Sequence, residues 1–342
     1  MTEEFDHTVT VRIGINGFGR IGRNFYRAVQ EQGENIEIVA VNDLTSPETL
    51  AHLLTYDSVL GPLKAEVEVK DGNIIVDGRE LKVLSEKDPA NLPWKDLGVD
   101  IVLESTGLFT DGEKAKAHLE AGARKVIVSA PGTNLDGTFV MGVNDDLYDN
   151  EKHHVVSNAS CTTNCLAPLA KVLDQKFGIK AGLMTTIHSY TADQRIQDAP
   201  HKDLRRARAA GVNMIPTSTG AARTVGKVYE PVAGKLDGMA FRVPTITGSI
   251  IDLSLSLEKD VTVEEINAAV KEAAEGEYKG IIKYTEDPIV STDVVGEPIS
   301  TVFDAQLTSE LDGQIKVFAW YDNEWGFTSR TVMFINMLAA KL

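Results

Sequence analysis

Val9-Thr10-Val11-Arg12-Ile13-Gly14-Ile15-Asn16 alternates side chains as a β-strand does and runs directly into Gly17-Phe18-Gly19-Arg20-Ile21-Gly22-Arg23. The second segment has G-x-G-x-x-G spacing and opens a helical pattern (Ile21, Phe25, Ala28, Val29). A second apolar strand, Ile36-Glu37-Ile38-Val39-Ala40-Val41, follows and ends in Asn42-Asp43. Alone, the glycine spacing is a weak signal. Strand, glycine turn, helix, strand and a terminal acid about 20 residues on make a whole dinucleotide-binding unit, which is far more specific. The glycines let backbone approach a pyrophosphate, and the helix N-terminus stabilises its charge. Asp43 would accept hydrogen bonds from ribose hydroxyls and repel a 2′-phosphate, which favours NAD over NADP. The alternative for Asp43 is a turn or cap residue ahead of Ser46-Pro47-Glu48, itself a good helix start.

Working outward, Ala65-Glu66-Val67-Glu68-Val69 alternates cleanly, and Asp71-Gly72 and Asp77-Gly78 are hairpin signals on either side of Ile74-Ile75-Val76. This predicts a small antiparallel excursion. The wound pattern resumes at Asp100-Ile101-Val102-Leu103-Glu104, with small residues Ser105-Thr106-Gly107 after it. A helix over Glu113 to Ala121, the strand Lys125-Val126-Ile127-Val128-Ser129 and the strand Val155-Val156 follow.

That last strand leads into Ser157-Asn158-Ala159-Ser160-Cys161-Thr162-Thr163-Asn164-Cys165. Apolar residues at Leu166, Leu169, Val172, Leu173 and Phe177 have helical period, with Ser160 a candidate N-cap and Gly178 a stop. Cys161 would then sit in the first turn, where free N–H groups and the helix dipole favour thiolate over thiol. Such a thiolate attacks carbonyls; the competing reading is a small buried thiol. His188 closes the strand Gly182 to Thr191, and its promotion from structural histidine depends on lying beside Cys161. Residues 192–212 are polar and hold Arg195, Arg205, Arg206 and Arg208, which suggests a phosphate or carboxylate site, or ion pairs on a solvated or inter-subunit face. Pro216-Thr217-Ser218-Thr219-Gly220-Ala221-Ala222 reads as a hydroxyl-rich helix N-terminus, a ready anion site.

Leu236 to Val243 is β-like and carries Arg242, and Ser249 to Glu258 is the cleanest alternating strand. Thr262-Val263-Glu264-Glu265 is a capping box. Strands near 301–307 and 315–321 and a closing helix complete the pattern. The fold class is α/β: a Rossmann-type doubly wound, mostly parallel sheet, plus an α+β catalytic domain with a mainly antiparallel sheet. The boundaries read as 1–159 for the NAD-binding domain, 160–323 for the catalytic domain and 324–342 for a C-terminal helix.

Fifty acidic against 34 basic residues give a formal charge of −16, which argues against broad binding to nucleic acid or acidic membranes. It suits a highly soluble enzyme and raises a high-salt origin, testable by titrating activity against KCl. The N-terminus Met1 to Asp6 is acidic with no apolar targeting region, and no stretch is long enough to span a bilayer, so a cytoplasmic location is expected. The two cysteines, Cys161 and Cys165, make neither a disulfide framework nor a zinc spacing, and no metal is expected.

With these segments in view, the chain resembles phosphorylating, NAD-linked glyceraldehyde-3-phosphate dehydrogenase essentially end to end. The resemblance rests on Ile15 to Arg23, Val41-Asn42-Asp43, Ser157 to Pro168, Thr186 to Thr191, His201 to Arg208, Arg242 to Thr245 and Trp320 to Gly326. It implies that Cys161 is the nucleophile and His188 its base. It implies that Gly17, Gly19, Arg20, Ile21, Gly22, Asp43, Lys87 and Ser129 hold NAD, with Asn323 orienting the nicotinamide amide. Thr191 and Arg242 would bind the substrate's phosphate; Ser160, Thr162, Thr219 and Gly220 would bind inorganic phosphate, with Arg206 near both. The family is homotetrameric, and its terminal helix packs on the nucleotide domain. Lys87 stands where many members have Arg, and Phe327 where many have Tyr. Asp198-Ala199-Pro200 differs from the Leu-Pro pair common in strictly NAD-linked members, so dual NAD/NADP use stays open. Erythrose-4-phosphate dehydrogenase, or a non-catalytic nucleotide-binding redox sensor using both cysteines, are the alternatives.

Overall fold

The computed structural model describes residues 10–33 and 35–342; Val9, read above with the first strand, and the acidic residues 1–6 lie outside the described residues. The chain divides into two compact units. One runs up to Phe139 and includes Leu147–Ala159 and Thr328–Leu342; the other comprises Val140–Asp146 and Ser160–Phe327.

In the first unit, β1 (Val11–Asn16), α1 (Arg20–Gln32) and β2 (Ile36–Asn42) form a crossover whose strands pair in parallel, Asn16 opposite Asn42. Next comes α2 (Pro47–Thr55), where the Ser46 hydroxyl caps by accepting from the Thr49 amide and Pro47 occupies a position that needs no amide. Asp43 is therefore not the cap. Two tight turns join β3 (Val67–Lys70), β4 (Asn73–Val76) and β5 (Arg79–Leu84). Asp71, Gly72, Asp77 and Gly78 have φ of 51°, 78°, 47° and 76°, as type I′ hairpins demand. β5 then turns back to pair in parallel with β2.

Beyond β6 (Ile101–Glu104), the expected helix over 113–121 is two short pieces, α3 (Gly112–Ala115) and α4 (Ala117–Glu120). The bonding slips at Lys116, whose carbonyl accepts from the Leu119 amide three residues on. After β7 (Lys125–Val128), β8 (Gly137–Thr138) and β9 (Val155–Ser157), the nine strands are ordered β3-β4-β5-β2-β1-β6-β7-β9-β8. All pairs from β5 to β8 are parallel, so β1, β2, β6 and β7 present their carboxyl ends along one edge. Trp94 packs flat on this sheet: a Cβ at Gly14 would lie 2.8 Å from its ring.

In the second unit, α5 (Cys161–Phe177) starts and stops where its sequence predicts. Ser160 Oγ accepts from the Thr163 amide at 3.0 Å, and Gly178 ends the helix at φ 74°. Then come β10 (Ile179–Ser189), β11 (Ile215–Ser218), α6 (Ala221–Val228), β12 (Leu236–Val243) and β13 (Ser249–Leu257). Pro216–Ser218, read above as helix start, are strand: they pair with β12, and the helix begins only at Ala221. The burial of β13 alternates strictly, one face inward. α7 (Val263–Glu275) carries the predicted capping box between Thr262 and Glu265. Last come β14 (Ile282–Thr285), β15 (Thr301–Asp304), which stops short of 307, β16 (Ser309–Leu311) and β17 (Gln314–Tyr321); the terminal helix α8 (Trp325–Ala339) begins in this unit and from Thr328 on belongs to the first. The sheet is mixed, ordered β11-β12-β10-β13-β17-β15-β14, with β16 on β17. Only the β10–β12 and β14–β15 pairs are parallel. No helix among the described residues is long and apolar enough to cross a membrane.

Candidate functional site

Two constellations carry chemistry, one in each unit. In the first unit the turn after β1 is shaped by what its glycines lack. Gly17 has φ 93°, and a Cβ there would lie 2.7 Å from the Thr106 amide nitrogen; a Cβ on Gly22 would lie 2.4 Å from the Gly17 carbonyl. Gly19, by contrast, has room: nothing among the described residues lies within 4 Å of its absent Cβ. Close packing at 17 and 22 and room at 19, at the N-terminus of a 13-residue helix, is what a pyrophosphate requires.

Asp43 closes this turn directly. Its Oδ2 accepts from the Phe18 amide at 2.9 Å and its Oδ1 from the Thr45 amide at 3.0 Å. Those bonds leave lone pairs on both oxygens for a diol. Arg20 is paired with Asp57, whose other oxygen accepts from the Val59 and Leu60 amides. Ser129, just past β7, donates to the Glu104 carbonyl at 3.0 Å. Ile21 lies half-buried in the first turn of α1, and Lys87 is exposed after β5. NAD fits this cradle.

In the second unit, Cys161 opens α5 and His188 lies near the end of β10, and the fold brings Sγ to 3.5 Å from Nε2. The His188 Nδ1 is 2.8 Å from the Ser189 carbonyl, which can only accept, and 2.5 Å from Arg242 Nη1, which can only donate. One nitrogen cannot serve both. We assign the Nδ1–H tautomer, because Arg242 has the Ser189 carbonyl as an alternative acceptor at 3.2 Å. Nε2 then turns its lone pair toward the sulfur. Burial, and secondly the charge of Arg242, pull the His188 pKa down to about 3. Burial likewise pushes the Cys161 thiol up, opposed by Arg242. A proton passing from sulfur to Nε2 would leave opposite charges in contact, with the helix N-terminus and Arg242 on the side of the thiolate.

Around this pair, Tyr321 Oη lies 2.8 Å from both the Thr162 and the Thr186 hydroxyl, tying the start of α5 to β10. Thr162 therefore turns its hydroxyl inward. The Thr163 hydroxyl donates to the Ala221 carbonyl at 3.2 Å, setting the first turn of α6 beside that of α5. The hydroxyls of Ser160 (half-exposed) and Thr219 and the exposed Gly220 edge these two turns. Arg206 donates to the Thr217 hydroxyl at 2.8 Å and pairs with Asp193. Thr191 exchanges bonds with Gln194, whose buried Nε2 has no partner among the described residues. Asn323 is buried with Oδ1 accepting from Ser189 and Ser249 hydroxyls at 2.9 Å each, which fixes the direction of its NH₂ group. Sequence reasoning missed Tyr321, Ser189, Ser249 and Asp193 as members of this cluster; no periodicity marks them. No cluster able to hold a metal occurs among the described residues.

Comparison with known proteins gives these geometries a family. Residues 160–323 match the family described as glyceraldehyde 3-phosphate dehydrogenase, C-terminal domain, and residues 11–112 its NAD binding domain. The chain is 60 % identical over 326 residues to glyceraldehyde-3-phosphate dehydrogenase of Streptomyces coelicolor, covering 95 % of this chain and 97 % of that one. It is 59 % identical over 340 residues to that of Mycobacterium tuberculosis, covering 98 % and 100 %. The chain belongs to the glyceraldehyde 3-phosphate dehydrogenase family. It is an NAD-dependent dehydrogenase, and residues 11–112 of its first unit are that family's NAD-binding domain.

Proposed function

We propose that this chain oxidises glyceraldehyde 3-phosphate and phosphorylates the product to 1,3-bisphosphoglycerate, with Cys161 as nucleophile and His188 as base. The observation that carries this is the 3.5 Å approach of Sγ to Nε2 at a helix N-terminus. Cys161 passes its thiol proton to His188 Nε2 and its sulfur bonds to the aldehyde carbon; Nε2 gives that proton to the carbonyl oxygen, completing a hemithioacetal, and takes it back as the carbon loses its hydride and the thioester forms. NAD, when bound, supplies the hydride acceptor. Backbone amides at the start of α5 and the His188 ring meet the charge on the carbonyl oxygen. Inorganic phosphate then attacks the thioester carbon, and the thiolate leaves.

Two anion sites are needed, and two support this reading. Arg242, held at the Ser189 carbonyl beside His188, and Thr191 suit the substrate's phosphate. The adjoining first turns of α5 and α6, with the backbone of Thr162 and with Ser160, Thr219 and Gly220, suit the incoming one, and Arg206 lies near these anions. The first unit acts as the NAD-binding domain, through the glycine turn with Arg20 and Ile21, Asp43, Lys87 and Ser129. Asn323 orients the nicotinamide amide.

The outer face of the eight-stranded sheet supports a homotetramer. Leu183 and Met239 are exposed on it, and Ile196, Leu204, Val212 and Met214 stand exposed on and beside the arginine-rich stretch. The acidic charge suits work in the cytoplasm. NADH or NADPH formation from glyceraldehyde 3-phosphate with NAD or NADP respectively, and with phosphate present or omitted, tests the activity. Dependence on phosphate supports the phosphorylating reaction; turnover without it favours an erythrose-4-phosphate type of hydrolytic oxidation. A sensor pairing both thiols is disfavoured by Cys165, fully buried and with its thiol pushed well up by burial.

A further inference from the structure

Outside the proposed cysteine site, the first unit buries a second set of ionisable side chains. Glu104 ends β6, and its carboxylate is only 2 % exposed; His118 is fully buried beside it. Oε2 accepts from Asn16 Nδ2 at 2.6 Å and meets His118 Nε2 at 3.0 Å. Trp94 Nε1, which can only donate, points at His118 Nδ1 from 3.0 Å. His118 Nδ1 is thus the acceptor, and its single proton sits on Nε2, directed at Glu104. The other oxygen, Oε1, accepts from the Thr106 amide at 2.8 Å and from the Thr106 hydroxyl. That hydroxyl in turn accepts from the Leu108 amide at 3.0 Å.

The Asn16 and Thr106 arms of this network end on the nucleotide cradle. Asn16 precedes the glycine turn, and its Oδ1 accepts from Asn42 Nδ2 at 2.7 Å, one residue before Asp43. Asn42 also exchanges two 2.8 Å bonds with the Glu86 backbone, next to Lys87. Thr106 is the residue whose amide fills the space left by the missing Cβ of Gly17. A buried carboxylate held by donors alone is expensive to maintain, and a core serving only stability would use apolar side chains there.

We propose that Glu104 is a positioning residue for NAD: its carboxylate, aimed by the Trp94–His118 pair, ties the ends of β1 and β2 and the Ser105–Leu108 loop into a preformed cradle. This rests on NAD binding at the ends of these strands. Preformation lowers the ordering demanded of the cofactor, so its loss raises the NAD dissociation constant and leaves the chemistry at Cys161 alone.

Glu104→Gln tests it with little change of shape. The glutamine oxygen can face the Asn16 and His118 donors, but its NH₂ then faces the Thr106 amide, which loses its acceptor. Thr106→Val keeps the amide bond to Glu104 but removes the hydroxyl that donates to it and accepts from the Leu108 amide, and is a milder change to the core. NAD binding by calorimetry to cofactor-free protein, steady-state kinetics and amide exchange over residues 105–108 are compared with the parent. Both variants are expected to raise Kd and KM for NAD about tenfold, the weight of one hydrogen bond to a charged group. They should keep kcat at saturating NAD within about twofold and speed exchange over 105–108. Parent-like NAD affinity in either soluble variant overturns the proposal, as does a kcat that falls in step with affinity. Should Glu104→Gln not fold, Thr106→Val decides alone. A parent protein that fails to bind NAD would instead overturn the cofactor reading beneath it.

Discussion

Cys161 Sγ lies 3.5 Å from His188 Nε2, although the two residues are 27 positions apart and occupy different elements. Neither placement is accidental. Ser160 caps the helix that presents the sulfur, and the Ser189 carbonyl fixes the ring that faces it.

His188→Asn should keep the fold and remove the acceptor at Nε2. Turnover at saturating NAD and substrate is expected to fall about 10²- to 10⁴-fold, the usual span for a positioned base, with KM for NAD little changed. A loss smaller than about tenfold would take His188 out of the proton transfer.

Acid stability should carry the same residue's signature. Its native pKa is held down near 3, against 6.5 when free, so between those values the unfolded chain binds the extra proton. Stability therefore rises with pH across that window and is lost as pH falls through it. His188→Asn should flatten this dependence by up to about 1.4 kcal/mol per pH unit, read from urea unfolding at successive pH values. Equal slopes in parent and variant would show that the ring is not held neutral.

Tyr321→Phe deletes one hydroxyl and strands two others, those of Thr162 and Thr186. The expected loss is about 1–3 kcal/mol of unfolding free energy. Because Thr162 adjoins Cys161 and Thr186 lies two residues before His188, kcat should fall as well. An unaltered urea midpoint would mean that the three hydroxyls do not depend on one another.

Gly17→Ala puts a methyl against Thr106 backbone at a residue whose φ is 93°. Either the turn or the loop must move, at about 1–3 kcal/mol. NAD affinity should drop roughly tenfold or more in a calorimetric titration, since 1.4 kcal/mol is a factor of ten. Unchanged affinity would separate this turn from the cofactor.

Much was legible in the residues themselves, because the signals are local. The type I′ turns at Asp71-Gly72 and Asp77-Gly78 need positive φ at neighbouring positions. The caps at Ser46, Ser160 and Thr262 satisfy amides three residues away. The glycine spacing at 17, 19 and 22 likewise answers to one turn and one helix start. The misreadings arose where a distant partner overrode local pattern: β12 claimed Pro216–Ser218 as strand.

The tertiary structure alone decided which side chains meet. Sequence spacing cannot place Tyr321 between Thr162 and Thr186, 159 and 135 positions away. Nor can it aim Trp94 and His118 at Glu104, or bring Arg242 to the ring of His188. Periodicity tells which face of an element is buried, but strand order and register tell what lies opposite, and those come from packing the whole chain at once.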